Sequence, residues 1–206
     1  MILSKIHIGI VDKIYNGRVA SLRYDPSANL SDVFKHYNHF KIAEDFSDFS
    51  DDENDLYIYT RKAYKLISKK HIGAGLDIVN KHKVLVDREF IESGDGQKEV
   101  IGDCFVAGLN DVCNSEYVVA GVFDNCTGVV DSEDIAYNYV SYLETKFVRY
   151  LISLVKTTDF ISRSDVVLVP KIDVRIPWTD EMLYNRYGLT DEEILEIETK
   201  IKPKTR

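Results

Sequence analysis

Cysteine, proline and long apolar runs are all scarce in this sequence. Three cysteines stand among 206 residues, without CxxC spacing. This odd number argues against a disulfide framework or a zinc site, and we expect buried free thiols. No segment approaches the roughly 20 apolar residues that a membrane helix needs. The opening MILSKIHIGIVDK lacks the pattern of a signal peptide, so we expect a cytoplasmic protein without a membrane partner. The cysteines are Cys104, Cys113 and Cys126.

The common catalytic signatures are also missing. The sequence has no GxSxG and no HExxH, and its four prolines are isolated, so the Asn-Pro-Pro-Tyr type of methyltransferase motif is absent. A metal-dependent nuclease needs carboxylates and a lysine at the end of a strand. The nearest approach is Asp165 with Lys171, while Glu198 and Lys200 lie on a predicted helix. The sequence therefore predicts no catalytic, cofactor-binding or metal-binding residue in this chain.

Positive charge is outweighed but locally concentrated. The net charge of −8 by itself argues against a nucleic-acid partner. However, residues 31–60 hold eight acidic and two basic residues, whereas residues 61–90 hold eight basic and three acidic ones. Such a basic stripe can attract phosphate whatever the mean charge. The acidic run at 44–55 lacks the spacing of a calcium loop, and self-repulsion predicts a solvated, mobile loop.

The hydrophobic pattern predicts an α+β fold. We expect a mixed, mostly antiparallel sheet packed on one long helix, followed by a C-terminal helix pair. Strands are predicted at 56–60, 84–86, 100–107, 116–123 and 165–169, a loop at 108–115, and tail helices at 180–187 and 191–201. Residues 32–40 and 61–70 fit short helices. Asn16-Gly17 between two β-prone runs predicts a hairpin of residues 6–14 and 18–24. Residues 1–55 would then form a hairpin and an acidic loop within the same domain as residues 56–206.

The segment 132–158 has the longest periodic pattern in the chain. Apolar residues recur every three or four positions from Ile135 to Val155, which is the spacing of one buried helix face. Lys146 and Arg149 lie off that stripe. They fit either solvated cations or cations that point at a polyanion.

Basic and polar side chains supply the candidate DNA contacts. Lysine and arginine give salt-dependent affinity for phosphate, whereas asparagine, serine and arginine in loops can reach base edges. An ordinary cationic face, balanced by the acidic loop, is the alternative. The candidates are Arg61, Lys62, Lys65, Lys69, Lys70, Lys81, His82, Lys83, Arg88, Asn114, Ser115, Lys146, Arg149 and Arg163.

The order of several segments over residues 56–203 resembles the C-terminal target-recognition domain of type II and type IIG restriction–modification adenine methyltransferases. The matching segments are His82-Lys-Val-Leu-Val86, 112–119, 142–151, 154–158, Val169-Pro170, Pro177-Trp-Thr-Asp-Glu-Met-Leu-Tyr184, Tyr187-Gly-Leu-Thr-Asp-Glu-Glu-Ile194 and Ile201-Lys-Pro203. The tail match is close, while residues 1–55 match poorly. The methyltransferase part and nuclease motifs are missing, and the loop at Asn114-Ser-Glu116 differs from the family.

The resemblance implies that residues 56–206 are a target-recognition domain with a helical tail. Its partners would be double-stranded DNA and a methyltransferase or nuclease domain or subunit. Only that methyltransferase or nuclease domain or subunit would need S-adenosylmethionine and Mg²⁺. The alternatives are a free-standing Mg²⁺-dependent restriction endonuclease and a protein-interaction or DNA-mimic module. Under the first hypothesis, replacing Lys146 and Arg149 with glutamate should abolish DNA binding.

Overall fold

The chain has an α+β fold. The computed structural model describes residues 4–17, 26–89, 99–124 and 131–204. The helices are α1 (Lys5–Tyr15), α2 (Ser132–Glu144), α3 (Lys146–Ser153), α4 (Asp180–Tyr187) and α5 (Asp191–Lys200). The strands are β1 (Leu56–Thr60), β2 (Ala63–Ile67), β3 (His82–Asp87), β4 (Cys104–Ala107), β5 (Asp111–Cys113) and β6 (Tyr117–Phe123). No helix within these ranges is long and apolar enough to span a membrane.

The predicted N-terminal hairpin is wrong in its first strand, because residues 6–14 lie within α1. Ser4 and His7 form a capping box at the start of this helix, and Asn16 ends it with a φ of 49°. Ile10 and Val11 face the core. The Asn-Gly pair does supply positive φ, but as a helix C-terminus and not as a hairpin turn. The second predicted strand, at 18–24, lies outside the described residues.

The strands form two three-stranded sheets where one mixed sheet was predicted. β1 pairs antiparallel with β2 and parallel with β5, while β3 lies between β4 and β6 and pairs antiparallel with both. The predicted strands at 56–60, 84–86 and 116–123 are confirmed, and that at 100–107 shortens to β4. Residues 61–70 are not a helix but supply β2 and a 3₁₀ turn, and the predicted loop 108–115 contains β5.

Two hydrophobic cores lie on opposite faces of β3. Val84 and Val86 belong to the core formed with the helices, whereas Leu85 belongs to the core shared with β1, β2 and β5. This division follows from the period of two along a strand. Val118 and Ala120 of β6 likewise belong to the first core and Val119 to the second, which accounts for the buried run in β6.

The predicted long helix is two helices, α2 and α3, because the chain breaks at Thr145. Thr145 has extended backbone (ψ 147°), and its Oγ1 accepts a hydrogen bond from Val148 N at 3.2 Å. The carboxylate of Asp180 accepts bonds from Lys146 N and Phe147 N at 3.0 and 2.8 Å. The break therefore has a partner in the tail, which satisfies the free amides at the start of α3.

The tail helices are confirmed, including their ends. Thr179 caps α4, Gly188 ends it with a φ of 59°, and Thr190 with Glu193 forms the capping box of α5. The strand predicted at 165–169 is wrong, since this segment is a series of turns, followed by a single β-bridge between Pro170 and Asn29. Only Leu30–Asp32, a 3₁₀ turn, replaces the helix expected at 32–40.

Cys113 and Cys104 are free thiols, as predicted, although Cys104 is only partly buried; Cys126 lies outside the described residues.

Burial raises the pKa of Cys113 to about 12. Above pH 9 the unfolded chain loses the thiol proton while the folded chain keeps it, so ionisation favours unfolding. We expect the stability of the wild type, relative to Cys113→Ala, to fall between about pH 9 and 12, by at most about 1.4 kcal/mol per pH unit. Urea unfolding of both proteins across that range measures it; a constant difference would contradict the burial of this thiol.

Candidate nucleic-acid interface

Lys83 is fully buried and cannot contact DNA in this structure. It lies on β3, and its Nζ is hydrogen-bonded to the carbonyl oxygens of Ile78, Val79, Lys81 and Gly108 at 3.3, 3.0, 2.5 and 3.0 Å. The ammonium therefore joins the turn before β3 to the turn after β4. Its prediction as a phosphate contact is wrong, because the alternation of β3 turns this side chain inward.

Arg149 and Lys146 also have structural partners. Arg149 is 1% exposed, and its guanidinium donates to Glu144 O at 3.0 Å and to Lys202 O at 2.7 Å. Lys146 Nζ lies 2.5 Å from a carboxylate oxygen of Glu198 on α5. Both side chains connect α3 to the tail. The interpretation of Arg149 as a phosphate contact is therefore wrong, and Lys146 is already neutralised by an acid.

The loop predicted to reach base edges is buried. Asn114 is fully enclosed, and its side-chain amide donates to the backbone oxygen of Glu44 and to a carboxylate oxygen of Glu116. Ser115 is 9% exposed, and its amide donates to Ile42 O at 3.1 Å. These residues join the end of β5 to the segment before β1. They are not available to a base.

Three other predicted contacts have partners at the surface. Arg61, in the turn between β1 and β2, forms ion pairs with Asp87 at 2.7 Å and Glu89 at 2.6 Å. Lys81 pairs with Asp124 at 3.0 Å. His82 Nδ1 lies 2.6 Å from Ser132 Oγ. Neighbouring acids reduce the attraction of Arg61 and Lys81 for phosphate, because a polyanion would have to compete with them.

The lysines of the β1–β2 hairpin are exposed, but the acidic segment 44–55 lies beside them. Its main chain contacts β2 where Ser50 N donates to Leu66 O at 2.9 Å, and the ring of Phe49 lies 4.9 Å from Lys65 Nζ. Asp48 also pairs with His71 at 3.0 Å. The segment has no helix or strand and most of its residues are exposed, as the predicted solvated loop requires, but Phe49 and Ser50 attach it to β2. The exposed lysines are Lys62, Lys65, Lys69 and Lys70.

Arg88 and Arg163, by contrast, lie together in one cleft of about 310 Å³. Among the described residues, no carboxylate lines this cleft and neither arginine forms an ion pair with an acid. Arg88 follows β3 directly, and its Cζ lies 4.5 Å from the ring of Tyr37 and 4.6 Å from that of Phe160. The lining residues are His36, Tyr37, Arg88, Thr158, Phe160, Ile161, Ser162, Arg163 and Ser164.

Local hydrogen bonds order the polar wall of the cleft. Asp165 accepts bonds from the amide and hydroxyl of Ser162 at 2.8 and 2.6 Å, and the hydroxyls of Ser162 and Ser164 are 2.8 Å apart. Arg163 Nε donates to Ser31 O at 2.7 Å, which leaves its terminal nitrogens for another partner. The hydroxyl protons of Ser162 and Ser164 are therefore used within the wall, and the terminal guanidinium nitrogens of Arg163 are the donors that the wall offers to phosphate oxygens.

Two further clefts differ in charge from this one. One, of about 450 Å³ between β4 and α2, is lined by Asp103, Glu144 and Lys204; the other, of about 340 Å³, is lined by Glu144 and Asp180 together with Lys146, Arg149 and Lys204. Their cations already have partners, since Lys204 pairs with Asp103, Lys146 pairs with Glu198, and Arg149 donates to carbonyl oxygens. Of these three clefts, the one around Arg88 has cations and no carboxylate among its described lining residues.

The carboxylates considered for metal binding have protein partners. Asp165 is bound by Ser162, while Lys171 pairs with Asp32 at 2.8 Å. Glu198 accepts bonds from Lys146 and Tyr184. Among the residues described, no group of three histidine, cysteine, aspartate or glutamate side chains is placed to hold a metal ion.

Sequence reasoning missed Tyr37, Phe160 and His36, which complete the cleft. Tyr37 and Phe160 are 48% and 43% exposed, which is unusual for such large rings. The only signal in the sequence was their position in polar segments, since nothing marked them as neighbours of Arg88. Comparisons with protein-family models, curated proteins and solved structures gave no match.

Proposed function

We propose that the protein is a sequence-specific, double-stranded-DNA-binding module, the target-recognition part of a bacterial restriction–modification system. The observation that carries the proposal is the cleft around Arg88. It brings together two predicted DNA contacts from distant parts of the chain, without an acid among the lining residues that the structure describes. Arginines with free donors beside exposed aromatic rings are suited to phosphates and bases.

The resemblance in the tail supports the same conclusion, and it gives the module its setting. The tail adopts the helix pair that the sequence predicts, and α3 is bound to it through Arg149 and Lys146. In this proposal the protein acts in the cytoplasm. A methyltransferase or nuclease domain or subunit, which would bind S-adenosylmethionine and Mg²⁺, performs the chemistry.

Replacing Arg163 with glutamate is expected to weaken binding to any DNA duplex. The arginine contributes to the phosphate contacts, so its loss should also make the slope of log K against log salt shallower by about one. Fluorescence anisotropy of a labelled random-sequence duplex, titrated between about 50 and 200 mM salt, measures both quantities.

Lys200→Glu is the matched control. Lys200 is an exposed cation on α5, an element that does not line the cleft. The substitution Lys200→Glu changes the net charge by the same amount as Arg163→Glu, but it should alter the DNA affinity and the salt slope much less. Equal effects of the two substitutions would show that the net charge of the protein, and not the cleft, governs DNA binding. Absence of duplex binding at low salt would refute the proposal, and plasmid cleavage by the chain with Mg²⁺ would favour a free-standing endonuclease.

A further inference from the structure

The main chain of Arg88 is fixed on both sides. Its amide donates to Glu116 O at 2.9 Å, and its carbonyl oxygen accepts from Ile161 N at 2.9 Å. The first bond joins Arg88 to the start of β6, and the second joins it to the segment that carries Phe160 and Arg163. The root of this side chain is therefore held by two separate parts of the fold.

The guanidinium is held in place without use of its hydrogen-bond donors. Tyr37 and Phe160 contact it through their rings, and such cation–π contacts leave the N–H groups free. Across the described ranges, no acceptor is hydrogen-bonded to the side chain of Arg88. Arginine carries five N–H donors in a planar fork. A fork with free donors, already confined in position, loses little conformational entropy when it binds.

A base edge with two adjacent acceptors matches such a fork. In the major groove, guanine presents O6 and N7 as acceptors, whereas adenine presents one acceptor and one donor, cytosine a donor, and thymine an acceptor beside a methyl group. A phosphate also accepts from arginine, but it carries no sequence information. Arg163, with one nitrogen bound to Ser31 O and its terminal nitrogens left, suits the phosphate.

We propose that Arg88 determines sequence specificity by donating two parallel hydrogen bonds to O6 and N7 of a guanine in the DNA target. This inference rests on the proposed function. It adds one property of the target sequence, a required guanine, and one residue that imposes it. Arg163 contributes affinity in this arrangement and does not contribute to the choice of base.

Selection from a random-sequence duplex pool tests the inference. The wild type should enrich a site with a nearly invariant guanine. In a duplex of that site, replacing this guanine with 7-deazaguanine, which lacks the N7 acceptor, should weaken binding about 10-fold or more. Arg88→Gln should bind the random pool but lose the guanine at that position, because glutamine pairs with adenine.

The control is Arg186→Gln. Arg186 is likewise an arginine over aromatic rings, 5.2 Å from Trp178 and 5.9 Å from Tyr187, but it is exposed and lies on α4 outside the cleft. This variant should enrich the wild-type site. Two results would contradict the inference while leaving the proposed DNA binding intact. In the first, Arg88→Gln enriches the same site as the wild type. In the second, it lowers the affinity for all sequences evenly and makes the salt slope shallower, which would mean that Arg88 contacts phosphate. If the wild type binds no duplex, the proposed function fails and the inference fails with it.

Discussion

Replacing Lys83 with methionine is expected to lower the free energy of unfolding by about 3 kcal/mol at pH 7. Methionine keeps nearly the same length and is apolar, so the substitution removes the ammonium while leaving the site filled. Burial lowers the pKa of Lys83 to about 8, and the group therefore still carries its proton at neutral pH. The charge needs the four carbonyl oxygens, and those oxygens in turn lose a donor when it is removed.

The loss should be concentrated at Gly108 O. Ile78 O also accepts from Lys81 N at 3.2 Å, and Val79 O from Asn110 N at 3.0 Å. Gly108 O depends more on the ammonium, and a buried acceptor without a donor costs about 1–3 kcal/mol. Urea unfolding followed by circular dichroism measures the change. Lys62→Met, on the exposed hairpin turn, is the control and should stay within about 0.5 kcal/mol of the wild type. If Lys83→Met also stayed within about 0.5 kcal/mol of the wild type, water would have replaced the ammonium as the donor to these oxygens.

Replacing Arg149 with glutamate is expected to destabilise the fold by about 3–5 kcal/mol. The guanidinium joins the end of α2 to Lys202 O after α5, and a carboxylate there would face those two carbonyl oxygens. Loss of DNA binding in this variant would thus follow from unfolding. It would say nothing about a phosphate contact on α3, which was the original expectation for this residue.

The chain offers a direct probe of this effect. Trp178 is the only tryptophan, is 8% exposed, and stands just before α4, so its fluorescence reports on the packing of the tail. Arg149→Glu should lower the urea midpoint of the fluorescence change and of circular dichroism together. Lys146→Gln removes one partly exposed ion pair, and it should cost no more than about 1 kcal/mol. If Arg149→Glu were as stable as Lys146→Gln, the proposed connection between α3 and the tail would be wrong.

Sequence reasoning succeeded where the signals are local. The caps at Thr179, Gly188 and Thr190 lie within a few residues of the helix ends that they define. The N-terminal error arose because isoleucines at 6, 8 and 10 fit a strand, whereas those at 6, 10 and 14 fit one face of a helix. A short apolar run allows both interpretations, and only the capping box of Ser4 and His7 distinguished them.

What sequence reasoning missed depends on long-range contacts. The break at Thr145 is stabilised by Asp180, which lies 35 positions further along the chain, and the burial of Lys83 depends on acceptors from two turns. The cleft likewise joins three segments that are far apart in sequence. Arg88 and Arg163 were named as candidates on charge alone. To distinguish these two arginines from the other predicted DNA contacts, one must know which acidic side chains lie near each cation in the folded protein.

The three side chains at the centre of the cleft stand apart from the two hydrophobic cores. Tyr37, Arg88 and Phe160 belong to neither cluster of buried apolar residues, and each lies at the end of an element or in a connecting segment. We therefore expect substitutions there to leave the packing of β3, α2 and α3 unchanged. If the proposed function holds, single amino-acid changes at these positions would alter the base preference while the scaffold stays constant. Under the proposed function, new target sequences would arise without passing through unstable intermediates.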